Sequence, residues 1–360
     1  MTVAVIGGGA SGLMAAQCAA QAGAQVLVLE QQARVGKKIL STGNGRCNLL
    51  NARVAASAYH GSGAEVAAAL LHRHPPRALL DHFEQMGLLC REEEAGRVYP
   101  ASGHAGAVLD VLRAALQELG AQVRTDCTVT ALNPCPTGFR IRCADGASVN
   151  VQRVIVSTGG RAGLDSGAAI GYELLSRLGH ALAPLRPALA PLTTPFDAVR
   201  GLKGVRVQAT LRLRAGGKVV RTELGELLFA DAGLSGVAAM QCARLAGDAL
   251  AEGRSVEACV DLLPERSASA WGDWLKARAL ALSERNAASL LSGLVHPRIA
   301  LRLLALAGVR PDDPGRDCPH GRLGALLREW ALPVTGTLGM ERAQVTAGGA
   351  LLESFDPETL

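Results

Sequence analysis

An α/β fold that opens with a parallel βαβ unit and carries an inserted β-plus-helical domain is predicted by three observations. A short β-branched run, Thr2-Val3-Ala4-Val5-Ile6, leads straight into Gly7-x-Gly9-x-x-Gly12. A small-residue helical pattern from Ser11 to Ala22 stops at Gly23, and a second apolar run, Gln25 to Leu29, ends on Glu30. Beyond His180 the composition changes, with prolines at 184, 187 and 191 reading as a linker before new blocks of strand and helix pattern.

The remaining elements follow in order. A Gly-, Asn- and Lys-rich loop runs from Gly36 to Asn51, and residues 64–94 read as helical with a break at Pro75-Pro76. Tyr99-Pro100 marks a turn before a helix from Ala105 to Leu119, closed by Gly120. Gln122 to Leu132, Phe139 to Cys143 and Val149 to Ser157 read as strands, the last running into Thr158-Gly159-Gly160. Val205–Leu213 and Val219–Thr222 alternate like strands, Val237 to Ala307 reads as helical with Pro264 and Pro297 as separators, and Leu332–Val345 returns to short strands. Arg310 to His320 reads as a polar loop. The predicted organisation is a nucleotide-binding domain over 1–185 with a helical excursion at 60–100, an inserted β-barrel-like plus helical domain over 186–345, and a return to the first domain over 346–360.

Composition excludes several classes. The chain of 360 residues is 49% hydrophobic and 19% charged, with a net charge of +5 that is dispersed rather than gathered into a run. That dispersal, together with aromatics at only 3%, argues against a nucleic-acid partner. Nine cysteines, an odd number without a C-x-x-C pair, point to reduced thiols in a cytoplasmic protein. Cys318-Pro319-His320 has no partners at metal-ligand spacing and reads as a loop, so no metal is expected. No apolar run is long enough for a membrane span, and the apolar N-terminus lacks the basic segment of a signal peptide.

The glycine motif gains meaning from its place between a strand and a helix. Gly7 suits a tight turn, Gly9 lets backbone approach a pyrophosphate, and Gly12 lets helix pack on strand. The helix N-terminus supplies unpaired N–H groups and a favourable dipole for that anion. Glu30 can accept both ribose hydroxyls of an adenosine and repels a 2′-phosphate, by about 4 kcal/mol for unit charges 4 Å apart at an effective dielectric of 20. The expected ligand is therefore FAD or NAD rather than NADP.

The stretch Gly36-Lys37-Lys38-Ile39-Leu40-Ser41-Thr42-Gly43-Asn44-Gly45-Arg46-Cys47-Asn48 is the most distinctive in the chain. Its glycines around Asn44 free successive N–H groups to face an anion, and Arg46 can add a charge-assisted phosphate contact. With this loop the sequence resembles the BaiN/YhiN-type FAD-dependent oxidoreductases. Gly96-Arg97-Val98-Tyr99-Pro100-Ala101-Ser102, Pro187-Ala188-Leu189-Ala190-Pro191-Leu192, Gly225-Glu226-Leu227-Leu228-Phe229, Val334-Thr335-Gly336-Thr337 and Ala343-Gln344-Val345-Thr346-Ala347-Gly348-Gly349 carry the resemblance along almost the whole chain.

The resemblance implies a Rossmann-like FAD-binding domain with an inserted domain. It implies that Gly7, Gly9, Ser11 and Gly12 hold the pyrophosphate and Glu30 the ribose. It further implies that Lys38, Gly43, Asn44, Gly45 and Arg46 line the flavin side, that Val129 meets adenine through its backbone, and that Thr158 and Gly159 pass beneath the cofactor. Its departures are Arg161 to Gly171, where the family has a serine–tyrosine–proline stretch and a glycine-rich turn, and Ala230-Asp231, where a Thr-His pair is common. The resemblance also implies a closing segment beyond Asp356-Pro357-Glu358-Thr359-Leu360, so this chain reads as truncated there.

Among reactive side chains, Cys47 reads as a small buried residue of the loop and Tyr99 as a core tyrosine. His104 reads as a helix-start residue and His180 as packing at a helix end. Gly233-Leu234-Ser235-Gly236 lacks the spacing of a nucleophile elbow. The expected function is an FAD-dependent oxidoreductase acting on a small molecule by hydride transfer, with O₂ or NAD(P)H exchanging electrons with the flavin transiently. The alternatives are a dinucleotide-binding flavoprotein that is non-catalytic or serves RNA modification, and an inactive truncated homologue.

Overall fold

The glycine-terminated apolar runs at the N-terminus set the frame, seen in a computed structural model that describes residues 1–61, 63–163, 170–282, 284–356 and 358. Leu164–Ala169, within the first departure from the family pattern, and Pro357, Thr359 and Leu360 of the C-terminal stretch lie outside the described residues. The chain divides into two compact units, Met1–Gly160 with Ser166–Ala183 and Gly348–Leu360, and Arg161–Asp165 with Pro184–Ala347.

In the first unit the order begins with β1 (Thr2–Ile6), α1 (Ala10–Gln21), β2 (Gln25–Leu29), β3 (Leu50–Asn51), α2 (Ala64–Arg73), α3 (Pro76–Gln85), β4 (Cys90–Glu92) and β5 (Arg97–Pro100). It continues through α4 (Ala105–Glu118), β6 (Gln122–Arg124), β7 (Val129–Cys135), β8 (Gly138–Cys143), β9 (Ser148–Val151), β10 (Arg153–Val156) and α5 (Ile170–Arg177). A parallel sheet of order β10-β1-β2-β6 lies at its centre.

Both faces of β1 are covered. Val3 and Val5 point into a core with Leu13 and Ala16 of α1 and Val108 and Leu112 of α4. Ala4 and Ile6 point the other way, onto Val129, Leu132 and Ile141 of the antiparallel sheet β7-β8-β9 and Leu174 of α5. This double burial is why the strand reads as an unbroken apolar run rather than an alternating one. Each fully buried aliphatic side chain contributes roughly 1.5–3 kcal/mol relative to exposure. The chain leaves β1 toward β2 and β6, and returns on its other side as β10. The carboxyl ends of β1 and β10 thus form a topological switch point, where open α/β sheets bind ligands.

Several sequence expectations are corrected here. Residues 86–93 are not helical, because Gly87 takes a left-handed φ of +93° and β4 follows. The expected strand 122–132 is broken at Asp126, at φ +51°, into β6 and β7, which belong to different sheets. Val149–Ser157 likewise splits at Gln152, whose side-chain carbonyl accepts the Thr2 N–H at 2.8 Å.

β11 (Leu182–Ala188) contains two of the prolines read as a linker. The second unit follows with β12 (Leu192–Thr193), β13 (Arg206–Ala215), β14 (Lys218–Ala230), β15 (Gly233–Ser235), α6 (Val237–Ala251) and β16 (Val256–Asp261). Then come α7 (Ala268–Ala281), α8 (Ala287–Leu291), α9 (Pro297–Ala307), α10 (His320–Arg328), β17 (Trp330–Pro333) and β18 (Gly336–Thr337), before β19 (Val345–Ala350). Its sheet is antiparallel, in the order β17-β16-β13-β14-β15-β12-β18. α6 presents Ala238, Ala239, Cys242, Ala243, Ala246 and Ala249, all buried, and small side chains at this spacing let it lie close to the sheet. The expected helical stretch 237–307 is interrupted by β16. Four consecutive residues of that strand, Ala258–Asp261, are buried, which removes the alternation that marks a half-exposed strand.

β16 ends on a buried charge. Asp261 is 1% exposed, and its carboxylate accepts from Arg328 Nη1 at 2.7 and 2.8 Å and from Arg212 Nη1 at 3.3 Å. Arg212 also donates to the Arg328 carbonyl at 2.8 Å. Replacing Asp261 with alanine leaves two half-buried guanidinium groups facing each other, and should cost about 3–5 kcal/mol. All three tryptophans, Trp271, Trp274 and Trp330, belong to this unit, so urea unfolding followed by tryptophan fluorescence reads the loss directly. A change below about 1 kcal/mol would show the cluster to be effectively solvated.

Candidate functional site

The site is built at the carboxyl end of the parallel sheet by close contacts that admit no side chain. Gly7 has φ +104°, and a Cβ there would lie 2.5 Å from the Ser157 carbonyl oxygen at the end of β10. A Cβ on Gly12 would lie 1.9 Å from the Gly7 oxygen. Gly9 differs: its φ of −81° and ψ of −170° suit any residue, and a Cβ there would meet nothing within 4 Å. Two of the three glycines are therefore required by the protein's own packing, and the third faces open space.

Gly9 is the N-cap of α1 and has no side chain to cap the helix. The first intrahelical bond runs from Leu13 N–H to the Gly9 carbonyl at 2.9 Å, which leaves the N–H groups of Ala10, Ser11 and Gly12 at the open end without a side-chain acceptor. Ser11 itself is exposed in this first turn. Unpaired donors on a helix dipole beside an unfilled approach are a fit for a phosphate or pyrophosphate.

Glu30, 9% exposed, stands at the end of β2. Its Oε2 accepts the Gly8 N–H at 2.7 Å and its Oε1 the Gln32 N–H at 2.8 Å. A carboxylate has about four acceptor positions, so the two backbone bonds orient it while leaving a lone pair on each oxygen for a diol. Gly8 also accepts from Gly36 N–H at 2.8 Å, which ties the start of the distinctive loop to the glycine turn. Beside Glu30, Cys127 N–H donates to the Glu30 carbonyl at 2.9 Å and Asp126 N–H to Gln32 at 3.1 Å. This brings Val129, buried at the start of β7, within two residues of that anchored backbone. Thr158 and Gly159 follow β10 against Gly7, and a Cβ on Gly159 would meet open space.

The loop has an unusual backbone. Gly43, Asn44 and Gly45 are all left-handed, at φ +54°, +56° and +82°, and Cys47 follows at +59°. Bonds from Cys47 N–H to Thr42 at 3.0 Å and Arg46 N–H to Gly43 at 3.2 Å hold it. Arg46 forms an ion pair with Glu93, and its guanidinium lies 4.1 Å over the Tyr99 ring. The structure thus places Arg46 on protein partners, and Lys38 is exposed on the same segment. Cys47 is buried, and burial pushes its thiol pKa up, against a hydrogen bond involving Thr42 that lowers it. This is the environment of a structural thiol.

Other candidates resolve simply. His104 caps α4, its Nδ1 accepting the Gly106 N–H at 3.1 Å. His180 stacks on Phe355 with centroids 4.9 Å apart. In the Cys318–His320 loop, His320 Nε2 lies 3.0 Å from the Gly315 carbonyl, and no cluster of metal-ligating side chains occurs among the described residues. No helix among them is long and apolar enough to cross a membrane. The backbone of Gly8 and Gln32, and the Glu93–Arg46–Tyr99 brace, went unread in the sequence. The Gly96–Ser102 motif was the signal for the brace, since it carries Tyr99.

A model of the HI0933-like protein Rossmann domain matches residues 1–360. The chain belongs to the HI0933-like family. It is 35% identical to the 3-dehydro-bile acid delta(4,6)-reductase of Clostridium scindens, over 99% of this chain and 88% of that protein. It is 26% identical to the ribosomal RNA dihydrouridine synthase of Escherichia coli, over 99% of this chain and 87% of that protein. The resemblance carried by the Gly36–Asn48 loop therefore holds, and the class that goes with HI0933-like membership and a reductase relative is flavin-dependent oxidoreductase.

The three glycines separate packing from binding experimentally. Gly12→Ala should destabilise the ligand-free protein by about 1–3 kcal/mol through overpacking. Gly9→Ala should cost about 0.5–1 kcal/mol as a cap change, less than the overpacking at Gly12, yet weaken flavin-nucleotide binding at least tenfold. Thermal melts and fluorescence titrations of the two variants check this. Equal nucleotide affinity for wild type and Gly9→Ala would remove the pyrophosphate from this turn.

Proposed function

We propose that the protein binds FAD and reduces a carbon–carbon double bond conjugated to a carbonyl in a small organic substrate. The observation that carries the cofactor is the uncapped end of α1 facing open space at Gly9, with the Glu30 carboxylate fixed 2.7 Å from the Gly8 N–H. The N–H groups of Ala10, Ser11 and Gly12 would hold the pyrophosphate, and Glu30 the adenosine ribose. The strand-edge backbone at Val129 would meet adenine. Gly43, Asn44 and Gly45 would turn backbone donors toward the flavin side, with Lys38 contributing positive charge, and Thr158 and Gly159 would run beneath the ring system. Arg46 would keep that loop in shape.

When bound and reduced, FAD would supply a hydride, with a nicotinamide cofactor as the source of electrons. The relatives support the reductive direction. A delta(4,6)-reductase of a 3-dehydro-bile acid and a dihydrouridine synthase both saturate a carbon–carbon double bond conjugated with a carbonyl. In that chemistry the hydride goes to the β carbon and a proton to the α carbon, leaving a single bond. The higher identity to the bile-acid enzyme favours a small alicyclic enone, and the dispersed charge and 3% aromatic content suit a small molecule better than an RNA.

The purified protein, mixed with FAD, should show the flavin absorption bands after desalting. Under anaerobic conditions with NADH or NADPH it should then saturate a 3-keto-4-ene steroid acid. Product mass gain of two hydrogens is the readout, with a uridine-containing ribosomal RNA fragment as the parallel substrate. Saturation of the RNA alone would replace the small-molecule reading, and failure to retain FAD would sink the cofactor assignment. Glu30→Gln should lower FAD affinity about tenfold, because an amide offers one acceptor oxygen where two backbone N–H groups already compete.

A further inference from the structure

Outside the proposed cofactor contacts, one pair of reactive side chains stands together. Cys127 Sγ lies 3.0 Å from Cys143 Sγ. Both are buried, at 2% and 5% exposure, and all nine cysteines of the chain are free thiols. Their backbones are already fixed. Cys127 N–H donates to the Glu30 carbonyl at 2.9 Å, Ala144 N–H to Thr128 at 2.8 Å, and Cys143 N–H to Ala147 at 2.9 Å. Cys143 is paired across the β7–β8 ladder with Val129, two residues from Cys127. Bringing the sulfurs to bonding distance, about 2.05 Å, takes a closure of roughly 1 Å.

We propose that Cys127 and Cys143 form a reversible dithiol–disulfide couple that staples the open end of the β7–β8 hairpin. In the forward step each thiol gives up its proton, the Cys127–Cys143 sulfur–sulfur bond forms, and two electrons pass to a small-molecule disulfide. The bond in that disulfide breaks, and its two sulfurs leave as thiols. Excess small thiol runs the step backwards. Exchange with a small-molecule disulfide requires local opening of this hairpin end, where Asp126, Thr128 and the turn Ala144–Gly146 are exposed.

The environment makes exchange at this pair slow. Burial first, and then the hydrogen bond and charge of Cys127, push the Cys143 thiol up to about 12. Asp145 adds to the rise, and Arg124 opposes it. Thiolate is therefore scarce near neutral pH, and exchange is slow compared with a catalytic dithiol. The couple is a modification site that responds to sustained oxidation, and its chemistry uses no cofactor.

The full-length protein, treated with oxidised glutathione or with diamide, then alkylated and digested, should yield a peptide pair joined through Cys127 and Cys143. Dithiothreitol should restore both thiols, and the linked protein should melt at a higher temperature than the reduced form. Cys127→Ser and Cys143→Ala should each abolish the linked pair while the rest of the cysteine map stays unchanged. Recovery of both residues as free thiols after the exposed Cys18 has reacted would overturn the proposal. So would a link from either one to any other cysteine. Mass spectrometry reads these outcomes whether or not FAD binds, so failure here leaves the cofactor reading untouched.

Discussion

The contact on which the first unit depends is the approach of α1 to the end of β1. There is no room for even a methyl group at Gly12, whose Cβ position lies 1.9 Å from the Gly7 oxygen, or at Gly7, whose Cβ position overlaps the end of β10. Three elements are thereby fixed at one point: the strand that starts the sheet, the helix that follows, and the strand that arrives from the other side. The helix start packs directly on the sheet end, which sets its uncapped N–H groups at the switch between β1 and β10. A cap residue such as serine or aspartate would satisfy those donors locally. Gly9 leaves them without a side-chain acceptor.

Glu30 extends this arrangement. A buried carboxylate without partners is costly, and here each oxygen takes one backbone N–H, from Gly8 on one side and Gln32 on the other. The same residue gives its main-chain carbonyl to Cys127. One side chain thus ties the glycine turn, the end of β2 and the approach to β7 into a single rigid edge. That edge carries the Glu30 negative charge, which repels any phosphate brought against it.

The site was legible where one residue type has one physical use. Gly7, Gly12 and Glu30 announced a turn, a close approach and a terminal carboxylate by spacing alone, and the elements around them formed as expected. Legibility failed where context chose the outcome. β16 hid inside a helical reading because four consecutive buried residues leave no alternation. The split at Asp126 turned on a left-handed residue that is not glycine. Prolines 184 and 187 looked like linker but occupy β11. The Cys127–Cys143 pair had no signature at all, since sixteen residues separate the two and only the hairpin register brings them together.

Arg46 has protein partners that its place in a glycine-rich loop did not disclose. Three successive left-handed residues, one of them Asn44, form a backbone that an isolated peptide would rarely hold, and αL conformation costs a non-glycine residue roughly 1–2 kcal/mol. Arg46 closes that run, and its guanidinium is taken up by Glu93 and the face of Tyr99. Both partners come from the 93–99 segment, so the strand β5 and the short turn before it act as a wall against which the loop is pressed. The cation–π contact with Tyr99 and the ion pair with Glu93 both restrain the residue that follows the left-handed run. The positive charge therefore does its first work inside the protein, as a brace. The bonds from Arg46 N–H to Gly43 and from Cys47 N–H to Thr42 close the same turn from within, so side chain and backbone of Arg46 act on one short segment.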